Sequence, residues 1–216
     1  MFKRIIITIF ALSVASFSAH AVQVRPMYSE YAPSKKAGVL TVANTDKTEK
    51  TFQVIVERQL FEGGVRKSVK TTDLRFAPSI FKVPAGKVQT VRWALNAAAT
   101  SADEQMYVIT VKEVPDPAVI QLPGVHHLID VKTAWIWRPE GLAPQLSARW
   151  DGGVLVVKNT GNASARLVDL VAGTVNKTGQ IGYVFPGEEA RFDVDGKAKV
   201  AVSVKVNGKD VILDAK

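Results

Sequence analysis

Residue types that do covalent or metal chemistry are scarce in this chain. It has no cysteine and three histidines in 216 residues, which excludes thiolate nucleophiles and thiolate metal sites. His20 falls in a segment read below as a removable leader, leaving His126 and His127 side by side. Neighbours on an extended strand project to opposite faces, so this pair does not converge on one metal or one substrate. The carboxylate pairs Asp103-Glu104 and Glu188-Glu189 stand at turns, where solvated charge is the ordinary use. No Gly-x-Ser-x-Gly elbow, phosphate-binding Gly-x-x-x-x-Gly-Lys-Ser/Thr loop or dinucleotide glycine cluster is present. A glycosidase-type carboxylate pair is the one catalytic arrangement left open. The chain therefore reads as a non-enzyme that uses no metal and no cofactor.

The amino terminus reads as an export signal. Lys3 and Arg4 precede the apolar run Ile5 to Val14, and Ala19-His20-Ala21 supplies a small-x-small cleavage pattern. That run is short of the roughly 20 residues a membrane-spanning helix needs, and no later stretch approaches it. Residues 1–21 are thus expected to be a signal peptide and the mature chain to begin at Val22 outside the cytoplasm. Basic residues outnumber acidic ones, 28 to 20. They alternate with apolar residues along apparent strands (Lys87, Arg92, Lys112, Lys132), as solvated strand faces do, which argues against a nucleic-acid partner.

Period-two alternation and β-branched or aromatic residues dominate, with turn clusters every 8–12 residues. Strands are predicted at 39–43, 51–60, 79–83, 88–94 and 106–113, followed by a long one at 125–137. Asn44-Thr45-Asp46, Glu62-Gly63-Gly64, Pro84-Ala85-Gly86 and Pro115-Asp116-Pro117 break them. Pro139, Gly141 and Pro144 read as a linker. A second series follows at 153–158, 165–172, 180–185, 189–194, 200–206 and 211–213, with Asn207-Gly208 a two-residue hairpin signal. No internal repeat is evident. The expected architecture is all-β: an immunoglobulin-like sandwich over 22–138 and a shorter β-sandwich over 139–216. Trp135 and Trp137 share a strand face, which reads first as core or interdomain packing and second as a carbohydrate platform.

Five segments in order resemble the periplasmic chaperones of the chaperone–usher pilus pathway, the PapD-like family. Gly38-Val39-Leu40-Thr41-Val42-Ala43-Asn44-Thr45 is similar to their second strand. Arg75 to Gly86 is similar to their x-P-x-x-F-x-L-x-P-G segment, and Lys87-Val88-Gln89-Thr90-Val91-Arg92 to the x-x-Q-x-x-R strand after it. Met106 to Pro115 is similar to the strand ending E-I-P, and Arg138-Pro139 stands where the family carries Y-R-P. Beyond residue 140 the likeness is one of β pattern and size.

The resemblance implies a boomerang of two sandwiches that binds pilus or fimbrial subunits lacking a strand and delivers them to an outer-membrane usher. The chaperone lends the missing strand by donor-strand complementation, a form of β-augmentation. Counting back from Arg138-Pro139, the donor strand is 125–133, with Val125, His127, Ile129 and Val131 as its donor face and His126, Leu128, Asp130 and Lys132 opposite. The family holds a subunit's terminal carboxylate with an Arg and a Lys, but the ungapped positions here carry Tyr28 and Ala134. Arg25, Lys132 and Arg92 are candidate substitute anchors, set against the reading of each as a solvated strand charge. Glu104 and Arg138 are expected to bridge the two domains. The competing reading is an extracytoplasmic adhesion or carbohydrate-binding β protein with no chaperone role.

Overall fold

The computed structural model describes residues 22–96, 102–121, 124–125, 127–194 and 200–215; the leader and His126 lie outside the described residues. Almost every element is a strand. The first unit contains β1 (Val22–Arg25), β2 (Tyr28–Tyr31), β3 (Ala37–Asn44), β4 (Lys50–Glu62), β5 (Val65–Lys70), β6 (Leu74–Ala77), β7 (Ile80–Val83), β8 (Val88–Leu95), β9 (Gln105–Val114) and β10 (Asp130–Trp137). A single helical turn, α1 (Pro117–Ile120), sits between β9 and β10. The second unit contains β11 (Leu146–Asp151), β12 (Val154–Asn159), β13 (Ala165–Ala172), β14 (Val175–Val184), β15 (Glu189–Asp193), β16 (Val202–Val206) and β17 (Lys209–Leu213).

Each unit is a sandwich of two sheets. The first packs β1-β3-β8-β6 against β2-β10-β9-β4-β5, with β7 also on β4; the second packs β11-β12-β15 against β14-β13-β16-β17. Alternation drives this arrangement. In β8, Val91, Trp93 and Leu95 point inward while the residues between them are exposed. Trp93, Trp135, Trp137, Tyr31 and Tyr107 form one aromatic cluster, with centroids 4.8–6.4 Å apart along its contacts. Trp135 and Trp137 are buried core residues, which removes the carbohydrate platform. Gly38 is required there, because a Cβ would stand 2.6 Å from the Trp93 ring.

The strands read from sequence are present, with two kinds of correction. Five strands (β1, β2, β5, β6 and β11) escaped it. β1, β2 and β6 are four residues long, too short for alternation to stand out; β5 is exposed along its whole length and has no buried face; β11 alternates but follows directly on the Pro and Gly residues read as a linker. The second correction concerns repetition. Gly38 to Thr45 (GVLTVANT) and Gly153 to Thr160 (GVLVVKNT) agree at six of eight positions. They also do the same work. The buried Asn44 amide donates to Thr48 O and Val83 O at 2.8 and 2.9 Å, and its Oδ1 accepts from Asp46 N. Asn159 donates to Ala163 O and Val184 O at 2.8 and 3.0 Å, and its Oδ1 accepts from Gly161 N. In each sandwich one asparagine ties the end of a strand to the opposite sheet and folds the following turn.

The Asn207-Gly208 signal forms the β16–β17 hairpin, with φ of 50° and 82° as a type I′ turn requires.

Candidate functional site

Two features set this molecule apart from a plain pair of sandwiches: an unfinished sheet edge and a polar junction. The edge belongs to β10. It pairs with β9 along its length, from Asp130 opposite Lys112 to Trp137 opposite Gln105. On its other side β2 runs parallel to it, but only from Ala134 to Trp137. Among the described residues, none pairs with 130–133 on that side, which leaves an open flank. Their polarity follows from the ladder: Glu113 N donates to Ile129 O toward β9, while Ala134 N donates to Met27 O toward β2. Alternate residues of a strand direct both backbone groups to the same side, so Asp130 and Lys132 present N–H and C=O to the open flank.

The expected strand at 125–137 starts later than read. Continuing the register places Pro115 opposite His127 and Pro117 opposite Val125. Both are positions where β9 would have to donate, and proline has no N–H. The ladder stops, and Val125, His127 and Leu128 lie outside the strand. The four residues expected to form one donor face are accordingly divided. Val125 is 83% exposed and His127 is exposed, both off the strand; Ile129 and Val131 are half-buried against the first sandwich's own core. A polar substitution at those two positions would thus disturb the free protein as well.

The junction is held by two knots flanking an apolar plug. In the first, Arg138 Nε donates to Glu104 Oε2, NH1 to Glu30 Oε1 at 2.6 Å, and NH2 to Ser164 O at 3.0 Å. Ser164 N in turn donates to Glu104 Oε1 at 2.9 Å. Glu104 and Arg138 are therefore brought together, and through Ser164 they join the two sandwiches. The second knot was not foreseen. Arg66 from β5 makes a two-pronged contact with Glu188, at 2.6 and 3.0 Å, and donates to Tyr183 O at 2.6 Å. Glu188 is 6% exposed and also accepts from Phe185 N. No sequence signal marks Arg66, since its partner lies 122 residues away. Between the knots, Met106, Ile136, Tyr183 and Phe185 form a small buried cluster, with Tyr28, Phe61 and Ala134 packed on it.

A cleft opens beside this plug, bordered by Tyr28, Lys132, Ala134, Arg166, Gln180 and Tyr183 among others. Tyr28 and Ala134, the ungapped anchor positions, are cross-strand partners here. The Arg166 guanidinium lies 4.2 Å above the Tyr28 ring. Of the three anchors considered from sequence, Lys132 alone borders the cleft. Arg25 and Arg92 stand exposed on the outer face of the other sheet, on strands whose alternate residues Val24, Val91 and Trp93 point into the core.

Burial raises the Tyr28 hydroxyl pKa, with Glu30 adding to it; burial and then Asp73 raise Tyr107; and burial raises Tyr183 against the opposing Arg166. A tyrosine whose folded pKa is raised contributes stability that is complete below its unfolded pKa and is lost as pH climbs past it. The denaturation midpoint should therefore hold steady from neutral pH and fall from about pH 10 upward, together with a delayed rise of tyrosinate absorbance. A midpoint flat to the alkaline limit would contradict it.

Residues 21–143 match the family described as the pili and flagellar-assembly chaperone, PapD N-terminal domain. This chain belongs to that family. Solved chaperones share its two-sandwich fold. A chain of the CsuC–CsuE chaperone–tip adhesion subunit pre-assembly complex from archaic chaperone–usher Csu pili of Acinetobacter baumannii superposes with a TM-score of 0.67 at 20% identity, covering 89% of this chain and 97% of that one. The Salmonella enterica SafA pilin–SafB chaperone complex gives 0.65 at 19%, covering 90% and 94%. The periplasmic chaperone SfaE gives 0.64 at 18%, covering 88% and 96%. One curated protein, the tRNA modification GTPase MnmE of Mesorhizobium japonicum, is 28% identical over 150 residues. That stretch is 68% of this chaperone but the chain spans only 32% of the GTPase's length, and the chaperone sequence has no phosphate-binding loop.

Proposed function

We propose that this chaperone works in the periplasm, exported by residues 1–21, and caps pilus or fimbrial subunits by donating residues 125–133 as their missing strand before an outer-membrane usher takes them. The observation that carries the reading is the open flank of β10 at 130–133, continuous with a segment that proline has freed from β9. An exposed edge of this kind is ordinarily an aggregation hazard; in a subunit chaperone it is the binding surface. Ile129 and Val131 already face the core side of the sheet, so a subunit strand added to that flank would extend the chaperone's sheet and place the same side chains over the subunit groove. Asp130 and Lys132 supply the backbone bonds.

The carboxylate anchor is re-sited in this reading. Arg166, stacked on Tyr28, together with Lys132, offers charge-assisted donors to a subunit's terminal carboxylate at the cleft. Glu104 and Arg138 fix the angle between domains 22–138 and 139–216 so that cleft and edge are engaged together.

Co-expression with a subunit from the same gene cluster, followed by co-purification from the periplasmic fraction, tests the proposal. The wild-type chain should recover the subunit. Val125→Asp, at an exposed position, should keep the melting temperature yet lower recovered complex about tenfold, from the lost burial of one aliphatic side chain. Full recovery with this variant, or none with wild type, would refute donation by this segment.

A further inference from the structure

The point where the donor segment leaves the sheet is held by a side chain. In a hydrogen-bonded antiparallel pair, two opposed residues exchange both N–H···O=C bonds. Glu113 and Ile129 make only half of that exchange with their backbones, Glu113 N donating to Ile129 O at 3.0 Å. The Ile129 N–H goes instead to the Glu113 carboxylate, Oε2, at 3.1 Å. The other carboxylate oxygen accepts from Lys50 Nζ at 2.7 Å. Both partners are nearly enclosed, with side chains 11% and 10% exposed, and Lys50 also reaches Asp46 at 3.3 Å. Lys50 opens β4, the neighbour of β9 on its far side. The carboxylate is thereby gripped from one side of the sheet and grips the chain on the other.

A carboxylate that accepts the last N–H does what the Glu113 backbone carbonyl would do in a completed pair, but from a side chain whose position depends on its ion pair. The strand is not drawn on toward Pro115 and Pro117, and the chain before Ile129 departs from a fixed point. Without that bond, Ile129 would have an unfilled donor and its half-buried side chain would no longer be fixed against the core.

We propose that Glu113, held by Lys50, is a positioning residue that caps the β9–β10 ladder at Ile129, where the prolines of β9's extension stop it, and so sets the register in which Val125, His127 and Ile129 are offered to a subunit. Its functional half rests on the donor-strand reading above.

The test uses the full mature chain with Glu113→Ala and Glu113→Gln, measured by amide hydrogen exchange of the free protein and by the rate of subunit capture. In Glu113→Ala the Ile129 amide should exchange at least tenfold faster while Val131 and Thr133 amides stay protected, and capture should slow several-fold. Glu113→Gln keeps an acceptor of the same shape without the ion pair, so it should recover most of the protection and part of the rate. An Ile129 amide that exchanges equally in wild type and both variants overturns the proposal, as does faster exchange with an unchanged capture rate. Failure of the donor-strand reading looks different: the wild-type chain itself captures nothing, and the exchange data alone then decide whether Glu113 caps the ladder at Ile129.

Discussion

Replacing Arg138 with Ala should destabilise the chaperone by about 3–5 kcal/mol, the usual consequence of removing one partner from a buried ion pair. Arg138 and Glu104 side chains are 9% and 7% exposed, so the carboxylate left behind has little water to turn to. It would retain the Ser164 N–H and lose its charged partner, while Glu30 and the Ser164 carbonyl would lose donors as well. An exposed pair would be worth under about 1 kcal/mol, and the burial decides between the two estimates. Because the knot ties one sandwich to the other, the variant should also broaden the particle-size distribution in small-angle scattering while its β-sheet signal persists. Arg138→Lys should recover little, since an ammonium has no planar fork to serve Glu104, Glu30 and Ser164 in three directions. An unchanged melting temperature and scattering profile would show that the junction is set elsewhere. The Arg66–Glu188 knot gives the internal comparison. Arg66 is 47% exposed, so water can replace much of what Arg66→Ala removes, and its effect should be clearly smaller.

The sandwiches were legible in the sequence because their signal is local. Val91, Trp93 and Leu95 alternate with exposed residues, and that pattern survives in a string of letters. The Glu104–Arg138 bridge was legible for another reason: both residues stand in segments resembling the family's. Arg66 and Glu188 have neither advantage, since each is a charged residue in an unremarkable context and their meeting depends on how two domains dock. The late start of β10 was hidden differently. Alternation runs on through Val125, His127 and Ile129, and it describes side chains, whereas the ladder ends on backbone grounds at two prolines of the partner strand. Reading β9 and β10 together, with the register fixed, would have revealed it. The repeat of Gly38–Thr45 in Gly153–Thr160 is faint because it spans only eight residues within dissimilar surroundings; the shared Asn-Thr after an alternating run is its sign in the sequence.

The same substitution at two adjacent positions should give opposite results, and this is the most discriminating expectation for β10. Asp130→Pro removes an N–H directed at the open flank, where no described strand of the chaperone accepts it, and proline is tolerated at the first residue of a strand and on edges. This variant should fold and melt within a few degrees of wild type. Val131→Pro removes an N–H directed at β9, inside the ladder opposite Val111, and should destabilise by about 3 kcal/mol or more. In the presence of a subunit the order of interest reverses. If an incoming strand pairs with the open flank, Asp130→Pro leaves a subunit carbonyl buried without a donor, at about 1–3 kcal/mol, and sets the ring against that strand. Capture should fall roughly 10- to 100-fold, each tenfold step corresponding to about 1.4 kcal/mol, in a protein whose own stability is intact. Melting curves of both variants alone, followed by titration of a refolding subunit, separate the possibilities. Full capture by Asp130→Pro would mean that the subunit does not use this flank. Collapse of the free Asp130→Pro protein would mean that the flank is closed in solution by something other than β2.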